Sequence, residues 1–284
     1  ILDEINSYLD SPSELIFDEF EDLLFHGHAL GHPILGNETS LERFDTAAGL
    51  GFLHRFYVPS NMLFFSMGRT DFRRIVRMAE SLVGPIESRP VQRNRIEPDA
   101  FVPTCQRVQK ETHQSHVLIG GRAYSLYDPK RIPLFLLNNL LGGPGMNNRL
   151  NVSLHERHGL AYTVESNVTS YTDTGVASIY FGTDPKNSDK ALALVHQELA
   201  KLRDVKLTTS QLAAAKKQAK GQLGVANDNR EGLFLGLGKN YLRYDHYKPL
   251  SEVFDQIDGI TAESLLEVAN EVYAPDGMTT LVYE

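Results

Sequence analysis

The same pattern, Tyr-x-Pro-x-x-Met, stands near both ends of this chain, as YVPSNM at 57–62 and YAPDGM at 273–278. The two tyrosines are 216 positions apart (273 − 57). Apolar residues at helical spacing precede each copy, and the proline that follows cannot continue a helix. An apolar run typical of a strand comes after each copy, at 62–68 and at 278–284. Two matched helix–proline–strand junctions predict two copies of one structural unit.

The distance between the copies constrains the domain organisation. Only 56 residues precede Tyr57, whereas the second copy has room for a whole unit before it. We therefore expect 1–85 to be the rear part of one domain, whose front portion is missing, and 112–284 to be a complete second domain. The segment 86–111 is charged, rich in proline and without periodicity, which predicts an interdomain linker.

Local patterns favour an α+β fold. Strands in hairpin style come first in the second domain and helices gather after them, which predicts a mainly antiparallel sheet with helices packed on one side. Tyr162, Val164 and Val168 alternate with polar residues and predict a half-exposed strand at 161–170. The clearest helices are predicted at 12–25, 40–56, 187–203, 208–226 and 230–244, and at 71–83 between Thr70 as N-cap and Gly84.

Composition argues against several classes of partner. The net charge is −8 and no run of Lys or Arg stands out, so we expect no nucleic-acid partner. No apolar stretch approaches the roughly 18–20 residues that span a bilayer. Cys105 is the single cysteine, which excludes an internal disulfide and fits a reducing compartment such as the cytoplasm.

The histidines do not complete an active site. His26, His28 and His32 lie close together in HGHALGH, but the interleaved apolar residues and the proline that follows favour a folded connecting loop over a metal loop. His155 and His158 in HERH share one helix face at a spacing that zinc accepts, with no evident further ligands.

Several segments, in order along most of the chain, resemble the pitrilysin/insulinase family of zinc metallopeptidases, which includes the mitochondrial processing peptidases. They are ILDEINSYLDSPSELIFDEF, HALGHPILG, YVPSNM, NNRLNVSLHERHGLAYTVES and IYFGTD. The resemblance implies a clamshell of two homologous α+β domains, which accounts for the repeated pattern. This chain then holds one complete unit and the rear part of the preceding one.

The resemblance also implies site residues. The family's zinc motif, His-x-x-Glu-His, is absent from this sequence and is expected in the missing front portion. Glu4 matches the distant glutamate that supplies the third zinc ligand. Tyr162 matches the tyrosine of the substrate-binding pair, whereas His155 stands seven residues earlier, where the family has arginine, and Arg157 is two positions late.

We therefore expect the C-terminal portion of a zinc endopeptidase that hydrolyses extended peptides in a closed chamber. Zinc belongs to the intact protein, and the chain alone is expected to be inactive. The implied assembly is a homodimer or a heterodimer with a homologous subunit. The alternatives are a non-catalytic assembly subunit and a peptide-binding module, which an upstream His-x-x-Glu-His would disfavour.

Overall fold

In the computed structural model, which describes residues 1–110 and 112–284, the chain divides into two compact units. The first unit comprises 1–36, 97–220 and 254–284, and the second comprises 37–96 and 221–253. The domains predicted at 1–85 and 112–284 are defined by the repeat and not by contacts. Their boundaries therefore stay a prediction.

A five-stranded sheet organises the first unit and confirms the α+β class. The strands are β1 Cys105–Val108, β2 Ser115–Ala123, β3 Ala161–Ser170, β4 Gly175–Thr183 and β5 Thr279–Tyr283. Their order across the sheet is β1-β5-β2-β4-β3. Neighbours are antiparallel except β1 and β5, which are parallel. The strand β3 therefore forms one edge of the sheet.

The strand β1 lies within the segment 86–111 that is predicted to be a linker. Cys105 pairs with Thr280, and the register continues to Val108 opposite Tyr283. The four residues are too few and too polar to show an alternating pattern. Their conformation depends on hydrogen bonds to a strand about 175 residues later, which local sequence does not reveal.

Most of the predicted helices are present with small shifts at their ends. The stretch predicted as one helix at 40–56 is instead two helices, Glu38–Leu41 and Thr46–Phe56, because Asp45 caps a new helix: its carboxylate accepts from Ala48 N at 2.7 Å. The helix predicted at 71–83 begins one residue later than expected, because Asp71 and not Thr70 is its N-cap: the Asp71 carboxylate accepts from Arg74 N at 3.0 Å. Among the described residues, no helix is long and apolar enough to cross a bilayer. The helices are α1 Leu2–Leu9, α2 Pro12–Leu24, α3 Glu38–Leu41, α4 Thr46–Phe56, α5 Phe72–Val83, α6 Arg131–Gly142, α7 Ser188–Asp204, α8 Thr209–Asp228, α9 Arg230–Tyr244, α10 Leu250–Asp258 and α11 Ala262–Val272, with a π-helix at Asn151–Arg157.

The two faces of the sheet carry separate apolar clusters. Val117 and Ile119 of β2 belong to the larger cluster, with α6, α7 and α11, whereas Leu118 between them belongs to the smaller one. This division follows from the alternation of side chains along a strand. The larger cluster agrees with helices gathered on one side.

The smaller cluster is covered by α2, whose Ile16, Phe20 and Leu24 are buried. Arg122 of β2 binds the C-terminal end of this helix. Its guanidinium lies 3.9 Å from the centre of the Phe25 ring and donates to the Leu24 carbonyl oxygen at 2.6 and 3.0 Å. A cation there satisfies a carbonyl that the helix leaves unpaired.

The repeated pattern adopts the same local structure twice. Each copy forms a 3-10 turn directly after a helix, Pro59–Asn61 after α4 and Pro275–Gly277 after α11. Met62 and Met278 then resume extended backbone, with φ of −123° and −114°.

The prediction of a strand at 62–68 is wrong, although the corresponding segment after the second copy of the pattern forms β5. No described segment pairs with 62–68. A strand needs the backbone of a neighbour for its hydrogen bonds, whatever its own side chains favour.

Candidate functional site

A β-bulge places Tyr162 at the edge of the sheet. Ala161 pairs with Thr183 and Thr163 pairs with Gly182, so Tyr162 is the extra residue between two consecutive partners on β4. Its side chain is 62% exposed. The regular alternation that grouped Tyr162 with Val164 is therefore interrupted by the bulge. The Tyr162 hydroxyl donates to the Asp184 carboxylate at 3.3 Å.

His155 contacts the backbone next to this bulge. The imidazole Nδ1 donates to the carbonyl oxygen of Ala161, 2.9 Å away, and so fixes the residue that precedes Tyr162. The His158 Nδ1 makes the same kind of bond to Ser153 O at 2.7 Å. The two histidines thus each bind a different backbone carbonyl and do not converge on a shared point, whereas His155 binds the residue next to Tyr162.

The helix that carries His155 has π geometry, which is rare overall and is found often at functional sites. It ends at Arg157 with His158 as its C-cap, and Gly159 follows with a φ of +58°, which suits glycine. The Leu160 amide then returns to Leu154 O at 2.8 Å, and the chain enters β3 directly. This tight exit explains why His155 lies within reach of Ala161.

A groove of about 410 Å³ runs beside the edge strand, between 163–167 of β3 and the loop 142–148. Amide side chains order the loop: Asn148 Nδ2 donates to Gly143 O and Gly145 O, both at 2.7 Å. Phe135 and Met146 add exposed apolar surface to the groove. A polar wall with apolar patches suits a polypeptide in extended form.

The open part of the edge is limited by α6. Asn138 Nδ2 donates to Ser166 O at 2.9 Å, so the edge is covered at this point. Gly142 approaches β3 so closely that an added Cβ would lie 2.7 Å from the Ser166 Cβ. A segment that adds to the sheet would therefore pair near the Tyr162 end of β3.

The sequence analysis did not predict the residues of the groove. One segment could have indicated them: NNLLGGPGMNN has paired asparagines on each side of a glycine-rich loop. The position of β3 at the edge had no signal in the sequence, because it depends on which strands pair.

The metal prediction concerns Glu4, which lies exposed in the first turn of α1. Catalytic zinc needs about three protein ligands. In 1–110 and 112–284 no group of three His, Cys, Asp or Glu is placed to hold a metal. The described residues by themselves therefore do not form a zinc site.

The HGHALGH segment is a folded loop, as expected. His28 Nδ1 accepts from Leu30 N at 3.1 Å at the start of a 3-10 turn, and its ring packs near Phe25.

Comparison with known proteins places this fold in a family. Residues 50–219 match the family described as the peptidase M16 inactive domain. The uncharacterized zinc protease YmxG of Bacillus subtilis is 27% identical over 282 residues, covering 99% of this chain and 68% of that protein. An uncharacterized zinc protease of Rickettsia felis is 27% identical over 274 residues, covering 96% and 66%. This chain thus spans about two thirds of the length of these relatives.

Solved structures share the fold at low identity. A peptidase M16 inactive domain from Pseudomonas fluorescens superposes with a TM-score of 0.87 at 21% identity, covering 99% of this chain and 67% of that one. A protease from Helicobacter pylori gives 0.90 at 18%, covering 100% and 70%. A chain of Complex III2 from Candida albicans gives 0.86 at 18%, covering 99% and 69%.

These findings confirm the resemblance to zinc metallopeptidases that the sequence carried. Since the family match spans more than half of its residues, this chain belongs to the peptidase M16 inactive domain family.

Proposed function

We propose that this chain is the substrate-binding, C-terminal portion of a zinc-dependent endopeptidase that hydrolyses extended peptides in a closed chamber. The observation that carries the proposal is the position of Tyr162, on a bulge at the open end of an edge strand and beside the groove. Zinc protease relatives support the chemistry.

In this proposal the peptide pairs with β3 near Tyr162 and its side chains enter the groove. Main-chain hydrogen bonds to an edge strand supply affinity, and alternate side chains supply selectivity. The Tyr162 hydroxyl exchanges its weak 3.3 Å bond to Asp184 for a bond to a substrate carbonyl oxygen or to the oxyanion formed from it. His155 is a positioning residue that holds the bulge through Ala161.

The test uses the full-length protein with an extended fluorogenic peptide. Tyr162→Phe removes only the hydroxyl, and losing one oxyanion donor costs about 10²–10³ in kcat. Tyr247→Phe, which removes a hydroxyl from another exposed tyrosine, is the matched control and should leave turnover unchanged. His155→Ala should raise KM more than it lowers kcat, because it loosens the bulge and removes no donor to the oxyanion. Equal turnover in Tyr162→Phe and Tyr247→Phe would refute the role of Tyr162.

We further propose that Glu4 is the third zinc ligand in the full-length protein. Glu4→Gln keeps the size of the side chain and removes the anionic ligand, so zinc content per protein should fall sharply with little change in thermal stability. The 284-residue chain alone should hold less than stoichiometric zinc. Unchanged zinc content in the variant, measured by atomic emission, would show that Glu4 is not a ligand.

The alternative is a non-catalytic assembly subunit or a peptide-binding module. The family description as an inactive domain favours it, as does the likeness to a chain of Complex III2. A full-length protein that binds the peptide and never cleaves it, in the presence of zinc, would decide for this alternative.

A further inference from the structure

A second cavity, separate from the groove beside β3, has a strongly basic lining. Its volume is about 480 Å³, within the range of small-molecule sites. It lies among the loop before the π-helix, the π-helix itself, α7 and the start of α8. Its charged lining residues are Arg149, Arg157, Glu198, Lys201 and Lys206.

Arg149 is the one half-buried cation of this lining. Burial lowers the pKa of its guanidinium, and the charge of Glu198 partly offsets that effect. Within the described residues its side chain makes no hydrogen bond. A half-buried guanidinium stays charged and presents five donors, so it is costly to leave without acceptors.

The carboxylates around the cavity do not balance its cations. Glu198 is buried and already bound to Lys201 at 2.6 Å. Lys206 is bound to Glu263 at 2.6 Å, and Arg157 has no partner among the described residues. Four cations therefore face two carboxylates, an excess of two positive charges.

We propose that this cavity binds a small molecule that carries a phosphate group. A phosphate has a charge of about −1.5 to −2 near neutral pH and three acceptor oxygens, which matches both the excess and the unused donors. Planar guanidinium groups bind such oxygens in pairs. A single carboxylate would leave about one positive charge uncompensated.

The rest of the lining suits the remainder of such a ligand. Ser153 and Gln211 offer neutral hydrogen-bonding groups, whereas Val152 and Leu207 offer apolar contact. Residues of the π-helix line this cavity, but His155 is not one of them. The inference therefore does not rest on the proposed peptidase function.

The experiment is a calorimetric titration of the 284-residue chain with inorganic phosphate at constant ionic strength. We expect one saturable site. Arg157→Gln removes an exposed, unpartnered cation and should weaken binding about tenfold or more, the typical worth of a charge-assisted hydrogen bond. The matched control is Lys190→Gln, which removes one positive charge from an exposed position on α7 outside the cavity and should change affinity by less than about twofold.

Three results would overturn the proposal. The first is the absence of saturable binding with a dissociation constant below about 1 mM. The second is an equal loss of affinity in Arg157→Gln and Lys190→Gln, which would indicate only general electrostatic attraction. The third is acetate binding as tightly as inorganic phosphate, which would assign the cavity to carboxylates. Circular dichroism of each variant verifies that the fold is retained.

Discussion

At the scale of residues, single hydrogen bonds fix the positions of His155 and Tyr162 in the candidate site. His155 precedes Tyr162 by seven positions in the sequence, and its ring nitrogen binds the carbonyl oxygen of Ala161, the residue directly before Tyr162. The bulge then turns Tyr162 outward. Its alternation partner Val164 packs against the larger core cluster.

Another histidine of the sheet carries a pH dependence of stability. His116 of β2 contacts the Tyr180 hydroxyl at 2.8 Å, and burial lowers the pKa of its imidazole below 6.5. As pH falls through 6.5, this histidine is protonated in the unfolded chain but stays neutral in the folded chain. The free energy of unfolding therefore decreases until the pH reaches the pKa of the folded state. His196, whose pKa is lowered by burial and by Arg203, adds to this trend.

We predict that His116→Gln makes the free energy of unfolding less dependent on pH between about 7 and 5, because glutamine does not titrate. Urea denaturation at a series of pH values measures this slope. Since His196 remains, the slope should shrink and not vanish. An identical slope in variant and wild type would mean that His116 does not contribute.

At the scale of elements, close contacts fix where helices lie on the sheet. The end of α6 rests against β3 at Gly142, where an added Cβ would meet Ser166 atoms at 2.7 and 2.8 Å. On the opposite face Arg122 fastens α2. Both contacts join segments distant in sequence, and the contact at Gly142 also forms part of the groove beside β3.

We predict opposite effects of two glycine substitutions. Gly142→Ala should destabilise the protein by about 1–3 kcal/mol, because α6 must move away from β3. Gly221→Ala, inside α8 with no atom within 4 Å of the added Cβ, should stabilise it by about 0.5–1 kcal/mol. Urea midpoints at constant m-value measure both. Stabilisation by both substitutions would contradict the close approach at Gly142.

At the scale of the whole molecule, the two compact units differ in how much they bury. In the unit of 37–96 and 221–253, all of which the structure describes, Val58 is the one buried residue. Phe44, Phe72 and Leu82 are each more than 70% exposed. In the other unit every residue of β4 is buried. Exposed apolar surface of this kind gives helices little tertiary support.

We therefore predict very different amide hydrogen exchange in the two units. The amides of α5, a 12-residue helix without a buried residue, should exchange close to the rate of an unfolded peptide. Those of β4 should be slower by about a thousandfold or more, since they open only with global unfolding. Mass spectrometry of the purified chain measures both segments. Comparable protection of α5 and β4 would show that the second unit is stabilised independently of a buried core.

The sequence by itself determined the features that depend on neighbouring residues. Helix positions follow from apolar spacing and caps, and the two 3-10 turns follow from proline after a helix. The resemblance carried by GLAYTV and its neighbours was enough to name the family and to select Tyr162 and His155, whose roles stay predictions.

Only the tertiary structure decided the features that depend on pairing across the chain. The strand β1 exists because β5 lies beside it, and 62–68 is no strand because no described segment does. The bulge at Tyr162, the groove beside β3 and the basic cavity at Arg149 likewise require segments from different parts of the chain to meet. Local propensity acts over a few residues, whereas backbone pairing and charge balance depend on which segments the folded core brings together.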